Sequence, residues 1–165
     1  MNKLSYRQGQ LGLLIISLAV LFSSLYFQYV KDMEPCPLCL MQRFCVILAV
    51  ILSGLAVFSN TMQKQKWFFI AQIVVALAGL YFAGRQLWLQ SLTADQLPAC
   101  LPGLDVLMRY FPWSDVFHAL MWGAADCAEV HWQWLGITMA GWSALYFVGL
   151  LMVILIYNFL PREAS

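Results

Sequence analysis

The apolar residues of this chain come in long blocks, separated by short polar joints. They show neither strand-like alternation nor the single stripe of a surface helix. Gln8 to Val30 carries no charge between Arg7 and Lys31, and Phe44 to Gln63 carries none between Arg43 and Lys64. Trp67 to Gly84 is uncharged between Lys66 and Arg85, with apolar character continuing to Leu89. Val130 to Pro161 has no acid, lysine or arginine and is densest from Ala140 to Leu160. A bilayer core about 30 Å thick takes about 20 apolar residues as helix. The pattern therefore predicts one integral membrane domain, an all-α bundle of four transmembrane helices. The spans fall at about 11–30, 42–60, 67–89 and 141–160, with external loops at about 31–41 and 90–140.

Inside the long loop a helical period reappears. Trp113, Val116, Phe117, Leu120 and Met121 recur at i, i+3, i+4, i+7 and i+8, and Pro112 suits the start of a helix. This short amphipathic helix is expected either on the membrane surface or against the protein's own spans. The first block follows Lys3 and Arg7 as a signal peptide would. Its apolar run exceeds a signal core of roughly 7–15 residues, and Tyr26-Phe27-Gln28-Tyr29 follows where a small-residue cleavage site would stand. It is read as an uncleaved span.

Composition agrees with the blocks: 62% of residues are hydrophobic and 10% charged, against roughly 45–50% and 25% in ordinary globular chains. So few charges exclude a soluble domain. Their distribution sets an orientation. Four spans put both termini on one side, with Lys3, Arg7, Lys64, Lys66 and Arg162, while Asp32, Glu34, Asp95, Asp105, Asp115, Asp126 and Glu129 fall on the other, with Lys31 and Arg109. Basic residues mark the cytoplasmic face. No basic stripe suggests nucleic acid. Tyr26, Tyr29, Trp67, Trp88, Trp132, Trp134 and Trp142 lie near span ends, where amphipathic rings favour the headgroup region.

Four of the five cysteines, Cys36, Cys39, Cys100 and Cys127, fall on the non-cytoplasmic side, which is oxidising if the membrane is a bacterial inner membrane. They allow three pairings. Cys36 with Cys39 is one natural pair by proximity, which leaves Cys100 with Cys127. Inert staples remain one reading. A zinc site fits poorly, because a Cys-x-x-Cys with two separate singletons matches no usual spacing. A Cys-Pro-Leu-Cys bridge closes too small a loop to gain much as a staple, and suits opening and closing instead. Pro35 and Pro37 place the start of the second helix near Leu38 or Cys39. The Cys39 thiol then lies in a first helical turn, with Arg43 one turn deeper on the same face, and both favour a thiolate. Arg43 also suits a snorkelling role at the interface. Cys45 lies within an apolar block and is read as packing. Asp126 and Glu129 are expected to raise the Cys127 thiol. His118 and His131 lack metal-ligand spacing and are read as interfacial polar residues.

Three segments, "EPCPLCLMQR", "GRQLWLQSLTADQLPACLPGL" and "ADCAEVHWQWLGITMAGWS", together with the four spans, resemble the bacterial disulfide bond formation protein B family, DsbB, along nearly the whole chain. That resemblance implies a quinone-dependent thiol oxidoreductase of the inner membrane. It would reoxidise a soluble periplasmic DsbA-type thiol oxidase of thioredoxin fold and pass the electrons to the membrane quinone pool, ubiquinone or menaquinone. The DsbA–DsbB–quinone route is what keeps the bacterial periplasm oxidising. The resemblance implies redox-active disulfides Cys36–Cys39 and Cys100–Cys127. Cys100 would take the mixed disulfide with the partner, and Cys127 would attack at Cys36. Cys39 would be the thiolate facing the quinone, beside Arg43. Some family members carry a quinone-binding histidine just beyond the third span; here that place reads Gln90-Ser91. Arg85 and Gln90 are therefore the further candidate quinone neighbours. Two other functions compete: a transmembrane conduit of reducing equivalents, which would need Cys45, and a non-enzymatic scaffold braced by its disulfides.

Overall fold

The structure is a computed structural model that describes residues 3–59, 62–93, 96, 104–130 and 132–159. Four long helices dominate: α1 Lys3–Tyr29, α2 Pro37–Val57, α3 Met62–Gln90 and α6 Met139–Phe159. Each contains a segment long and apolar enough to cross a membrane. Between α3 and α6 lie α4 Leu104–Tyr110, α5 Trp113–Trp122, a 3-10 turn over Ala125–Ala128, and a two-residue hairpin of β1 Gln133–Trp134 and β2 Ile137–Thr138. The fold is an all-α four-helix membrane bundle, as the apolar blocks predict.

α2 packs between α1 and α3, and α3 packs between α2 and α6. Leu13, Val46, Ala49, Ala76, Phe82, Phe147 and Ile154 form the shared interior, and Cys45 is buried among them. Small residues permit close approach: a Cβ on Gly79 would collide with the Phe147 ring. In a bilayer, polar side chains need partners inside the protein. Gln72 Nε2 donates to Gln10 Oε1 at 2.8 Å and to Ser53 Oγ at 3.3 Å, tying α3 to α1 and α2. Ser17 and Tyr146 hydroxyls lie 2.8 Å apart between α1 and α6. Ile15, Phe22, Ile51, Leu55, Ile70, Val74, Leu145 and Met152 face outward, as residues that meet lipid tails should.

The boundaries differ from the sequence reading in an informative way. α2 begins at Pro37, close to the start near Leu38 or Cys39 that the prolines predict and ahead of the span edge at about 42. Pro37 occupies the first helical position, where its missing N–H costs nothing. Cys36 precedes it in extended backbone and caps the helix: its Sγ accepts from the Cys39 N–H at 3.4 Å. α5 packs on the protein's own spans, one of the two placements expected of the loop helix. Val116 and Ala119 are buried and the helix packs on α2, while Trp113 and Phe117 remain 76% and 58% exposed. The hairpin was not legible in the sequence. Leu135 and Gly136 both take positive φ, the requirement of a two-residue primed turn.

A cysteine centre at one end of the bundle

The C-terminal ends of α1 and α3 and the N-terminal ends of α2 and α6 meet at the same end of the bundle, and the cysteines gather there. Cys36 and Cys39 form a reciprocal cap. The Cys39 N–H reaches Cys36 Sγ, and the Cys36 N–H reaches back to Cys39 Sγ. This is the geometry of a capping box, with two thiols in place of Ser/Thr and Glu. Their sulfurs lie 2.8 Å apart.

Cys127 arrives from the long loop. Gly123 ends α5 with φ +82, and a Cβ there would stand 2.7 Å from Leu38 Cδ1 and 2.8 Å from Leu89 Cδ1. Only a residue without a side chain lets the loop settle this deeply at a positive φ. The 3-10 turn that follows carries Cys127, fully buried, onto the start of α2. There the Cys127 thiol is hydrogen-bonded to Cys36 and receives the backbone N–H groups of Ala124 and Leu38.

The electrostatics follow from these contacts. The hydrogen bond from Cys36 draws the Cys127 thiol down to about 7, with help from the two amides and against burial and Asp126. The sequence reading expected the neighbouring carboxylates to raise it. The structure shows the opposite balance, because two backbone donors and a thiol touch the sulfur directly while Asp126 acts only through space. Cys36 moves the other way: its hydrogen bonds to Cys127 and Cys39 hold it well above the usual thiol range. In the reduced protein Cys127 is thus the more acidic thiol of the pair and Cys36 the less acidic.

Arg43 lies beside Cys39, hung on α1. Its Nε donates to Ser24 Oγ at 2.9 Å, Nη2 donates to the Ser24 carbonyl at 3.3 Å, and Nη1 donates to Gln28 Oε1. Cys36, Cys39 and Arg43 line one open cleft of about 630 Å³, including solvent at its mouth. Phe27 and Trp132, with ring centroids 5.0 Å apart, give it an aromatic wall. Gln90 also lines the cleft, and its Oε1 accepts from Thr138 Oγ1 at 3.0 Å, joining the end of α3 to the start of α6.

Arg85 points elsewhere. Its Nε donates to the Trp122 carbonyl at 3.1 Å, and its guanidinium stands 4.1 Å above the Trp88 ring, so it anchors the end of α5 outside the cleft lining. His118 stacks on Trp122. Cys100 and His131 lie outside the described residues. Cys45 is in the core, away from this centre. Among the described residues no cluster suits a metal ion. The sequence reading missed Gln86 and Gln42, both buried, the first at the sulfurs and the second hydrogen-bonded to the first. The signal that marks Gln86 is an amide just past Arg85, in the apolar stretch that continues to Leu89, since buried amides in membrane helices need a specific partner.

A multi-pass helical bundle with three thiols converging at one end defines a membrane thiol–disulfide oxidoreductase. The comparison with known proteins gives the family. The family profile described as "Disulfide bond formation protein DsbB" matches residues 6–157. Proteins named Disulfide bond formation protein B are similar to this chain. The one from Hahella chejuensis is 44% identical over 130 residues, covering 75% of this chain and 76% of its own. The one from Marinobacter nauticus is 40% identical over 153 residues, covering 90% and 91%, and that from Acinetobacter baumannii is 35% identical over 164 residues, covering 96% and 95%. The chain belongs to the disulfide bond formation protein DsbB family of disulfide-forming oxidoreductases.

Proposed function

We propose that this protein reoxidises a periplasmic DsbA-type thiol oxidase and transfers the electrons to a membrane quinone, from the inner membrane and with both termini in the cytoplasm. The observation that carries the reading is the meeting of Cys127 with Cys36 beside a cleft shared by Cys39 and Arg43. In the oxidised protein the disulfides are Cys36–Cys39 and Cys100–Cys127. The reduced partner attacks Cys100, and a mixed disulfide forms as Cys127 is released. Cys127, released as a thiolate from its bond to Cys100, attacks Cys36. The Cys127–Cys36 bond forms, the Cys36–Cys39 bond breaks, and the electron pair stays on Cys39 Sγ.

The cleft suits a quinone by its chemistry. A planar ring with two carbonyl oxygens needs a flat apolar wall and N–H donors, and Phe27, Trp132 and Met139 line the cleft together with Arg43 and Gln90. A quinone bound there supplies the two-electron acceptor. Arg43 and Gln90 would hold it, and Arg43 would balance negative charge beside Cys39. Cys45 sits in the hydrophobic core, which supports packing over service as a conduit thiol.

The test is quinone reduction by the purified protein on addition of a reduced periplasmic dithiol oxidase, followed by loss of quinone absorbance for ubiquinone and menaquinone in turn. Reduction of either supports the assignment and identifies the acceptor. Absence of reduction with all cysteines intact overturns it.

A further inference from the structure

Gln86 is 4% exposed, on α3, with its amide against the two cap cysteines. Its Nε2 lies 3.3 Å from Cys39 Sγ and 3.6 Å from Cys36 Sγ. Its Oε1 accepts from Gln42 Nε2 at 2.8 Å and lies 3.5 Å from Cys39 Sγ. Gln42 is itself buried on α2, one turn from Cys39. The guanidinium of Arg43, by contrast, directs hydrogen bonds to Ser24 and Gln28 of α1 and none to either sulfur. Among the described residues, Gln86 is the side chain whose N–H donates to Cys39 Sγ.

Both ends of this amide meet the sulfur. A Cys39 thiol donates to Oε1, and a Cys39 thiolate accepts from Nε2. The site therefore satisfies either protonation state with no rotation of the side chain. A neutral donor in a water-poor setting also strengthens toward an anion without burying a charge of its own.

We propose, resting on the assignment of Cys39 as the leaving sulfur, that Gln86 is a catalytic residue of the disulfide exchange, donating to Cys39 Sγ as that sulfur takes up negative charge. In that step the Cys127–Cys36 bond forms and the Cys36–Cys39 bond breaks. The charge passes from Cys127 to Cys39, and no proton moves. Gln42 is the positioning residue: by donating to Oε1 it turns Nε2 toward the sulfurs.

The experiment reads Cys39 alone. Purified, reduced protein carrying Cys36→Ser is alkylated with iodoacetamide across pH, and mass spectrometry follows the Cys39 peptide. Gln86→Leu and Gln86→Met should each move the half-point of Cys39 alkylation upward by about one pH unit, a tenfold loss of thiolate at a given pH. Gln42→Met, which keeps Gln86, should move it the same way by less. It also carries the test if neither Gln86 variant folds, as judged by circular dichroism. A half-point unchanged in every variant that folds overturns the proposal. The measurement uses neither quinone nor partner protein. A wild-type protein that fails to reduce quinone thus counts against the proposed function, while the alkylation profile decides the role of Gln86.

Discussion

Cys127 is hydrogen-bonded to Cys36, and Cys39 is left to Gln86. Gln86 Nε2 is within reach of both sulfurs of the Cys-Pro-Leu-Cys motif, nearer to Cys39 at 3.3 Å than to Cys36 at 3.6 Å. Cys36 faces the loop that delivers a nucleophile. Cys39 faces an amide and an arginine within the bundle. In the proposed exchange, a nucleophile arriving at Cys36 makes Cys39 the leaving sulfur.

The first prediction concerns that placement. In a protein carrying Cys39→Ser and Cys100→Ser, mild oxidation should produce a Cys36–Cys127 disulfide as the main cross-link. Non-reducing peptide mapping detects it. Recovery of both thiols unlinked after oxidation would show that the two sulfurs do not meet in solution.

A second prediction concerns pH. Cys127 sits at about 7, below the ordinary thiol value of about 8.5. Its contribution to the stability of the reduced protein is full above the ordinary value and is lost as pH falls through about 7. Cys36 is shifted upward, so its contribution is full below the ordinary value and is lost as pH rises beyond it. The reduced protein should therefore gain stability from pH 7 to about 8.5 and gain no more above that. Alkylation of Cys127 should show a midpoint near 7. Cys36→Ala should move that midpoint up toward the ordinary value, because the Cys36 hydrogen bond is the largest cause of the shift.

Arg43 provides a third. Arg43→Met removes a cation hung on three α1 acceptors beside Cys39. Hydrogen bonds to charged groups contribute about 1.5–3 kcal/mol, so the apparent KM for quinone should rise roughly tenfold or more. Arg43→Lys should recover only part of this, since an ammonium cannot reproduce the guanidinium fork. Unchanged quinone affinity and turnover in Arg43→Met would remove Arg43 from the mechanism.

Gly123 provides a fourth. An alanine there combines a positive φ with a Cβ pressed on Leu38 and Leu89, at a cost of about 1–3 kcal/mol. The loop should lift, and the yield of the Cys36–Cys127 cross-link should fall. Gly12→Ala, which meets nothing within 4 Å, should leave the yield unchanged. Equal yields in the two variants would show that the close seat at Gly123 does not position Cys127.

Much of this protein was determined by sequence order alone. Uncharged blocks between Arg7 and Lys31 or between Lys66 and Arg85 specify spans, because a bilayer accepts only helices that satisfy their own backbone. Cys36-Pro37-Leu38-Cys39 carries its local structure within four residues: the spacing that makes a capping box also brings the two sulfurs together. Arg43 followed from helical spacing. The tertiary structure decided what local spacing cannot encode. The pairing of Cys127 with Cys36 depends on where Gly123 lets the loop descend. The lowered Cys127 thiol depends on amides from α2 and the loop that only the fold brings together, which is why Asp126 and Glu129 misled the sequence reading. Arg85 and Gln90 lie close together on one helix, yet rotation about that helix sends the first to Trp122 and the second to Thr138 and the cleft. Gln86 became visible only when α2 and α3 packed, since a buried amide takes its meaning from the partners it meets.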